Sequence, residues 1–178
     1  AFFENYVGPE DNWLPPDNYQ EKPVERIAHR TSPTNIGLSL LSNLTAYDFG
    51  YITASELVEL TTNTLSTVQK MEKYRGHLFN WYDTQSLMPL SPRYVSTVDS
   101  GNFIGHLVAL KQGLREIPDN KVFGNNMFES LLDEARILNE HVNIPAMKKF
   151  RQKLAEEYPK HIDSPEGIKT YLDGLEQE

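Results

Sequence analysis

Three segments with helical apolar spacing follow one another between residues 32 and 117, and nothing in the chain reads as a convincing strand. Ser32-Pro33 places a capping hydroxyl before a proline at the first helical position, where its missing N–H costs nothing. Ile36, Leu38, Leu40, Leu41, Leu44 and Phe49 then predict a broadly apolar helix, buried on most sides and ending at Gly50. Thr53-Ala-Ser-Glu56 is a capping box, in which hydroxyl and carboxylate satisfy each other's orphan backbone donors. The helix it opens is expected to run to about residue 74. Leu57, Leu60, Thr64, Leu65, Val68 and Met71 form its apolar stripe and Glu56, Glu59, Gln69, Lys70 and Lys73 its wet side, the pattern of an outer helix. The third segment, from about 98 to 117, carries Phe103, Ile104, Leu107, Val108, Leu110 and Leu114 among Gly101, Gly105, Ala109 and Gly113. Small residues at this spacing let helices approach closely, so this helix is expected to be buried as well.

Pro118-Asp-Asn interrupts the pattern, and amphipathic segments follow at 126–141, 145–158 and 165–175, the last behind a second Ser-Pro start. Upstream, residues 1–32 are rich in proline, asparagine and aromatic side chains, and Pro15, Pro16 and Pro23 forbid one continuous helix. Phe2, Phe3, Trp13, Leu14 and Tyr19 are too apolar for a free linker, so this arm is expected to lie on the body. The predicted fold is therefore all-α: a bundle of about six helices with an extended N-terminal arm (1–32), a helical core carrying the motif loops (33–117) and additional amphipathic helices (118–178).

Charge narrows the function. With 17 Lys and Arg against 25 Asp and Glu, the net charge of -8 gives no general attraction for a phosphate backbone or an anionic lipid surface, so neither nucleic acid nor a membrane surface is expected as a partner. The chain has no cysteine, which removes disulfides, thiolate metal sites and a cysteine nucleophile. Its apolar stretches are far shorter than the roughly 20 residues that cross a bilayer, so a soluble chain without membrane insertion is expected. It begins at Ala1 and runs into the acidic DGLEQE, from which we expect a piece of something larger. No HExxH, no paired metal-binding histidines and no GxSxG elbow occur, so no metal or cofactor is expected.

Short connections make the three helices run up, down and up. The loop HRTSPTN (29–35), the end of the second helix near Arg75-Gly76-His77 and the stretch NWYDTQSLMPLSPRYVSTVDSGN (80–102) then fall at one end of the bundle. An end lined by aromatic planes, carboxylates and guanidinium groups suits a sugar, whose ring faces stack on Trp or Tyr and whose hydroxyls need paired donors and acceptors. Trp81, Tyr82 and Tyr94 are the stacking candidates; Asp83, Asp99 and Arg93 are the polar ones. The plainer alternative is a loop plugged into the core by its rings, with Asp83 capping a turn and Arg93 clamping Asp83 or Asp99. Asp99 and Ser100 lie in a first helical turn, where a carboxylate is favourable without any ligand. His106, inside an apolar helix, reads as a satisfied core histidine. Asp83 and Asp99 also form the one pair that could serve two-carboxylate glycoside chemistry. Cations expected beside both would lower a carboxyl pKa, which makes neither a good general acid.

WLPPDNYQE (13–21), HRTSPTNIGLSLLS (29–42), AYDFGYI (46–52) and RGHLFNWYDTQSLMPLSPRYVSTVDSGNFIGHL (75–107) resemble a segment of the cyclic β-1,2-glucan synthases. The resemblance covers about residues 10–117. It implies a very large membrane-associated bacterial enzyme with a glycosyltransferase part using UDP-glucose, a central glycoamylase-like region and a phosphorylase-like region. This chain resembles the start of the central region, whose expected fold is an (α/α) toroid that cyclises β-1,2-glucan by transglycosylation. About six helices supply only part of such a wall, and the acidic catalytic residues are expected beyond Glu178. The resemblance makes His29, Arg30, Asn80, Trp81, Tyr82, Asp83, Arg93, Tyr94, Asp99, Ser100 and Asn102 one side of a glucan-binding cleft, with no catalytic residue among them. The remainder of the parent polypeptide is then a partner, and the cytoplasmic face of a bacterial inner membrane the expected location. Two other readings stand beside it: a self-contained hydrolase or transglycosylase using Asp83 and Asp99, and an interaction module that docks on its parent or on a second copy.

Overall fold

The computed structural model describes residues 2–119, 125–142, 145–157 and 165–176. Among them are seven α-helices and six strands of two residues each: α1 (Phe2–Tyr6), β1 (Tyr19–Gln20), β2 (Arg26–Ile27), β3 (Arg30–Thr31), α2 (Pro33–Asp48), α3 (Ala54–Lys70), β4 (Lys73–Tyr74), β5 (His77–Leu78), β6 (Tyr82–Asp83), α4 (Thr97–Glu116), α5 (Asn125–Val142), α6 (Pro145–Glu157) and α7 (Pro165–Glu176). The chain is all-α in its main elements. The short strands, which no alternation in the sequence announces, pair antiparallel as β1–β2, β3–β6 and β4–β5.

Local chemistry sets the helix ends. Ser32 Oγ accepts the Asn35 N–H at 3.2 Å at the start of α2. At its far end Gly50 takes φ +77°, while Tyr51 N–H bonds Ala46 O at 2.8 Å and Gly50 N–H bonds Tyr47 O at 2.9 Å, the paired bonds of a Schellman stop. Thr53 and Glu56 form the reciprocal capping box of α3, with bonds of 3.2 and 2.7 Å. That helix stops at Lys70, short of the expected residue 74, because Arg75 and Gly76 take φ +51° and +87° and turn the chain into the β4–β5 hairpin. Lys73 Nζ folds back onto the freed carbonyls of Val68, Gln69 and Met71 at 2.6, 3.2 and 3.0 Å. The second Ser-Pro start, at Ser164, lies outside the described residues.

The chain divides into two compact units. Unit 1, Ala1–Thr45 with Thr53–Pro118, has a core of Leu14, Ile36, Leu40, Val68, Met71, Leu78, Tyr82 and Leu110, against which Phe103, Leu107 and Leu114 pack. The arm contributes to it directly: Leu14, Pro15 and Pro16 are buried, and Thr64 Oγ1 donates to Trp13 O at 3.0 Å. Rather than being extended throughout, the arm carries α1, a 3-10 turn at Pro9–Asp11 and the β1–β2 hairpin. Unit 2, Ala46–Ile52 with Asp119–Glu178, closes around Phe128, Leu154, Ile168 and Tyr171. Its Asn126 side chain donates to Tyr47 O and Asp48 O, both at 3.3 Å.

Burial on most sides is met along α2, where few residues are exposed, but not along α4. Leu38 on α2 and Val98, Ile104 and Val108 on α4 are exposed, Val108 by 63%. The apolar pattern of α4 is wider than the face that the rest of unit 1 covers. The small residues of α4 divide in the same way. A Cβ at Gly113 would lie 2.5 Å from Leu44 Cδ2, whereas one at Gly101 or Gly105 would meet nothing among the described residues. His106 is half-buried against Gly37, and its Nδ1 has no hydrogen-bond partner among the described residues, so it is not the satisfied core histidine expected.

Candidate functional site

The 29–35 loop and the 80–102 stretch meet through backbone. Pairing of β3 with β6 sets Arg30 opposite Asp83 and Thr31 opposite Tyr82, and Thr84 N–H extends the ladder to His29 O at 3.1 Å. Leu90 N–H bonds Trp81 O at 2.9 Å, and Asn80 N–H bonds Tyr94 O at 2.8 Å, so the loop is tied along its length.

Asn80 organises the side chains. It is buried, and its amide is oriented so that each end meets a complementary group. Its oxygen accepts from Tyr94 OH at 2.7 Å and Trp81 Nε1 at 2.6 Å, while its nitrogen donates to Asp99 Oδ2 at 2.9 Å. The other oxygen of Asp99 accepts from Thr34 Oγ1 at 2.7 Å, and Asn102 Nδ2 donates to Thr34 Oγ1 at 3.2 Å. Arg30 covers Trp81, its Cζ 4.8 Å from the ring centroid, an arrangement in which cation and ring attract. Asp17 holds that guanidinium through Nε at 3.1 Å and Nη2 at 2.8 Å, and Asn35 Nδ2 donates to the same carboxylate at 3.3 Å. Thus Arg30, Asn80, Trp81, Tyr94, Asp99 and Asn102 come together. Thr34 and Asp17 take part in the arrangement although neither was among the candidates read from the sequence. Their signal was the 29–35 loop itself for Thr34, and for Asp17 an acidic residue in the arm, which alone points nowhere.

The remaining candidates are placed otherwise. Tyr82 is fully buried, and its hydroxyl donates to Glu72 O at 2.6 Å and accepts from Phe79 N–H at 2.7 Å. Burial raises its phenol pKa, and the expected stacking role is corrected to a core role. Asp83 accepts from Gln85 N, Ser86 N and Ser86 Oγ at 3.1, 2.7 and 2.8 Å, the turn-capping alternative. The Ser86 N–H is the main reason its carboxyl stays below the usual value; of cations, only a small His29 contribution acts. Arg93 pairs with Glu72 at 3.3 Å rather than with Asp83 or Asp99. His29 Nδ1 bonds Asp11 Oδ1 at 2.8 Å; Asp11 also binds the Thr84 hydroxyl. Ser100 is half-buried, and its Oγ has no partner among the described residues.

Chemically, the cluster offers a partly exposed indole, a Tyr94 that is 47% exposed, an exposed guanidinium and an exposed amide, tied together around the buried Asn80. Both oxygens of Asp99 are occupied by protein donors, and Asp83 is held as a turn acceptor. The arrangement suits binding and orienting hydroxyl groups. No group of three His, Asp or Glu able to hold a metal occurs among the described residues, and no helix among them is long and apolar enough to cross a membrane.

No family model matches the chain. Over 145 residues it is 50% identical to the cyclic beta-(1,2)-glucan synthase NdvB of Rhizobium meliloti (strain 1021), a match that takes in 80% of this chain and 5% of that protein. The chain therefore spans about one-twentieth of the relative's length. At that identity, and with the helical fold described above, the chain is homologous to one segment of the cyclic β-1,2-glucan synthases, the family its motifs resemble.

Proposed function

We propose that unit 1 supplies part of a β-1,2-glucan-binding surface within a cyclic β-1,2-glucan synthase, as one portion of an (α/α) toroid wall whose catalytic acids lie elsewhere in the polypeptide. The observation that carries this reading is the Asn80 network, which fixes Trp81, Tyr94 and Asp99 in one cluster beside Arg30. Trp81 and Tyr94 stack on glucose rings, Arg30 and Asn102 meet hydroxyls, and Asp99 holds the loop in place. Asp83 and Arg93 brace the surface from outside the cluster. The remainder of the parent chain is the partner, and UDP-glucose as the glucosyl source would put the assembly at the cytoplasmic face of a bacterial inner membrane.

Titrating the chain with linear β-1,2-glucan tests this reading. Trp81→Ala should weaken binding about tenfold, or roughly 1.4 kcal/mol, while its thermal midpoint stays within a few degrees of the parent's. Unchanged affinity in the variant, or no binding by the parent chain, would sink the proposal. Loss of fold together with binding would favour the core-plug alternative.

A further inference from the structure

Beside the Trp81 cluster lies a groove of about 740 Å³, lined by the β1–β2 hairpin and the segment leading into β3. Its volume falls within the ~300–1,000 Å³ typical of small-ligand sites. We propose that it is a second glucan subsite, into which a chain seated on Trp81 continues; this rests on the function proposed above.

The lining points to a neutral, polyhydroxylated occupant. It presents the guanidinium of Arg26 and the amides of Asn18 and Gln20, whose nitrogens give one N–H to Asp17 and to Val24 O respectively and each keep a second, with Ile27 and Ala28 as its apolar members. Arg30 is bound to Asp17 and the His29 ring to Asp11, and Glu25 adds a negative charge. Arg26 has no side-chain partner among the described residues and remains as a donor. Amide and guanidinium donors with little net charge match sugar hydroxyls better than an anion or an apolar molecule.

Continuity comes from Arg30, which lines the groove and also lies over the Trp81 ring. A polymer on Trp81 must leave the cluster along some edge, and Arg30 is the residue that the cluster and the groove share. The wall is preformed. Tyr19 pairs with Ile27 and Gln20 with Arg26, Ala28 N–H reaches Asn18 O at 3.0 Å, and the Tyr19 ring stacks on Tyr6 at 5.1 Å. Little ordering is needed on binding, so a chain long enough to touch both places gains affinity as a linked ligand does.

The test compares a β-1,2-linked glucose disaccharide with long linear β-1,2-glucan, titrated against the whole chain. The double variant Gln20→Ala/Arg26→Ala should leave disaccharide affinity unchanged and lower long-glucan affinity about tenfold. Trp81→Ala should lower both. Long glucan, but not the disaccharide, should also slow amide exchange across residues 18–30 in the parent chain. If the double variant keeps the parent's dependence on glucan length and exchange at 18–30 is unaffected, the groove is not a subsite, although the Trp81 reading stands. If Trp81→Ala changes neither affinity, the underlying reading fails and takes this one with it.

Discussion

A single buried amide, that of Asn80, holds an indole, a phenol and a carboxylate at once. Asn80→Ala leaves Asp99 short of one donor in a partly buried place, and should cost about 1–3 kcal/mol in denaturant unfolding. Asn80→Asp should cost more, since it sets a second carboxylate against Asp99. Asp83 makes a different prediction. Its folded pKa lies below the unfolded value of about 3.9, so the stability it contributes is fully present above that value and is lost as pH falls through the folded pKa. Thermal midpoints followed downward from pH 6 should therefore fall less below about pH 4 in Asp83→Asn than in the parent. At this scale the residue types of the site were legible, but not their orientations. Trp81 and Tyr82 are adjacent, and adjacent residues of an extended segment face opposite sides. Which of the two faces the core depends on Tyr82 lying opposite Thr31, a pairing between distant parts of the chain.

Among the elements, helix starts were the most readable. Ser32 and the Thr53–Glu56 box act over three residues, so their chemistry is complete within the local sequence. The glycines of α4 were less so, because a small residue announces an approach without saying whether it is used. Gly37 on α2 is used, since a Cβ there would run into the His106 ring. Gly37→Ala should destabilise unit 1 by about 1–3 kcal/mol through overpacking. Gly101→Ala and Gly105→Ala, with no neighbour among the described residues, should stabilise it by about 0.5–1 kcal/mol through helix propensity. Opposite signs in denaturant midpoints would confirm the distinction; a loss at all three positions would show that α4 is covered on its Gly101–Gly105 side in solution.

At the scale of the molecule, the two units have separate cores and should respond separately. Phe128→Ala removes a fully buried ring from the core of unit 2, where it meets Tyr171 at 5.7 Å, and should cost about 3–5 kcal/mol. Amide protection should then fall in α5, α6 and α7, while α3 and the Asn80 region keep theirs; a uniform loss would mean that the two cores fold as one. The main helices, the Ser32 and Thr53–Glu56 starts and the family resemblance were legible along the chain, because periodicity, capping and ordered motifs are properties of neighbouring residues. That Tyr82 is core, that Arg93 turns to Glu72 and that Arg30 lies over Trp81 became visible only in the folded chain. Each of these depends on which distant segments pair, and on how much of an apolar helix face the surrounding chain is able to cover.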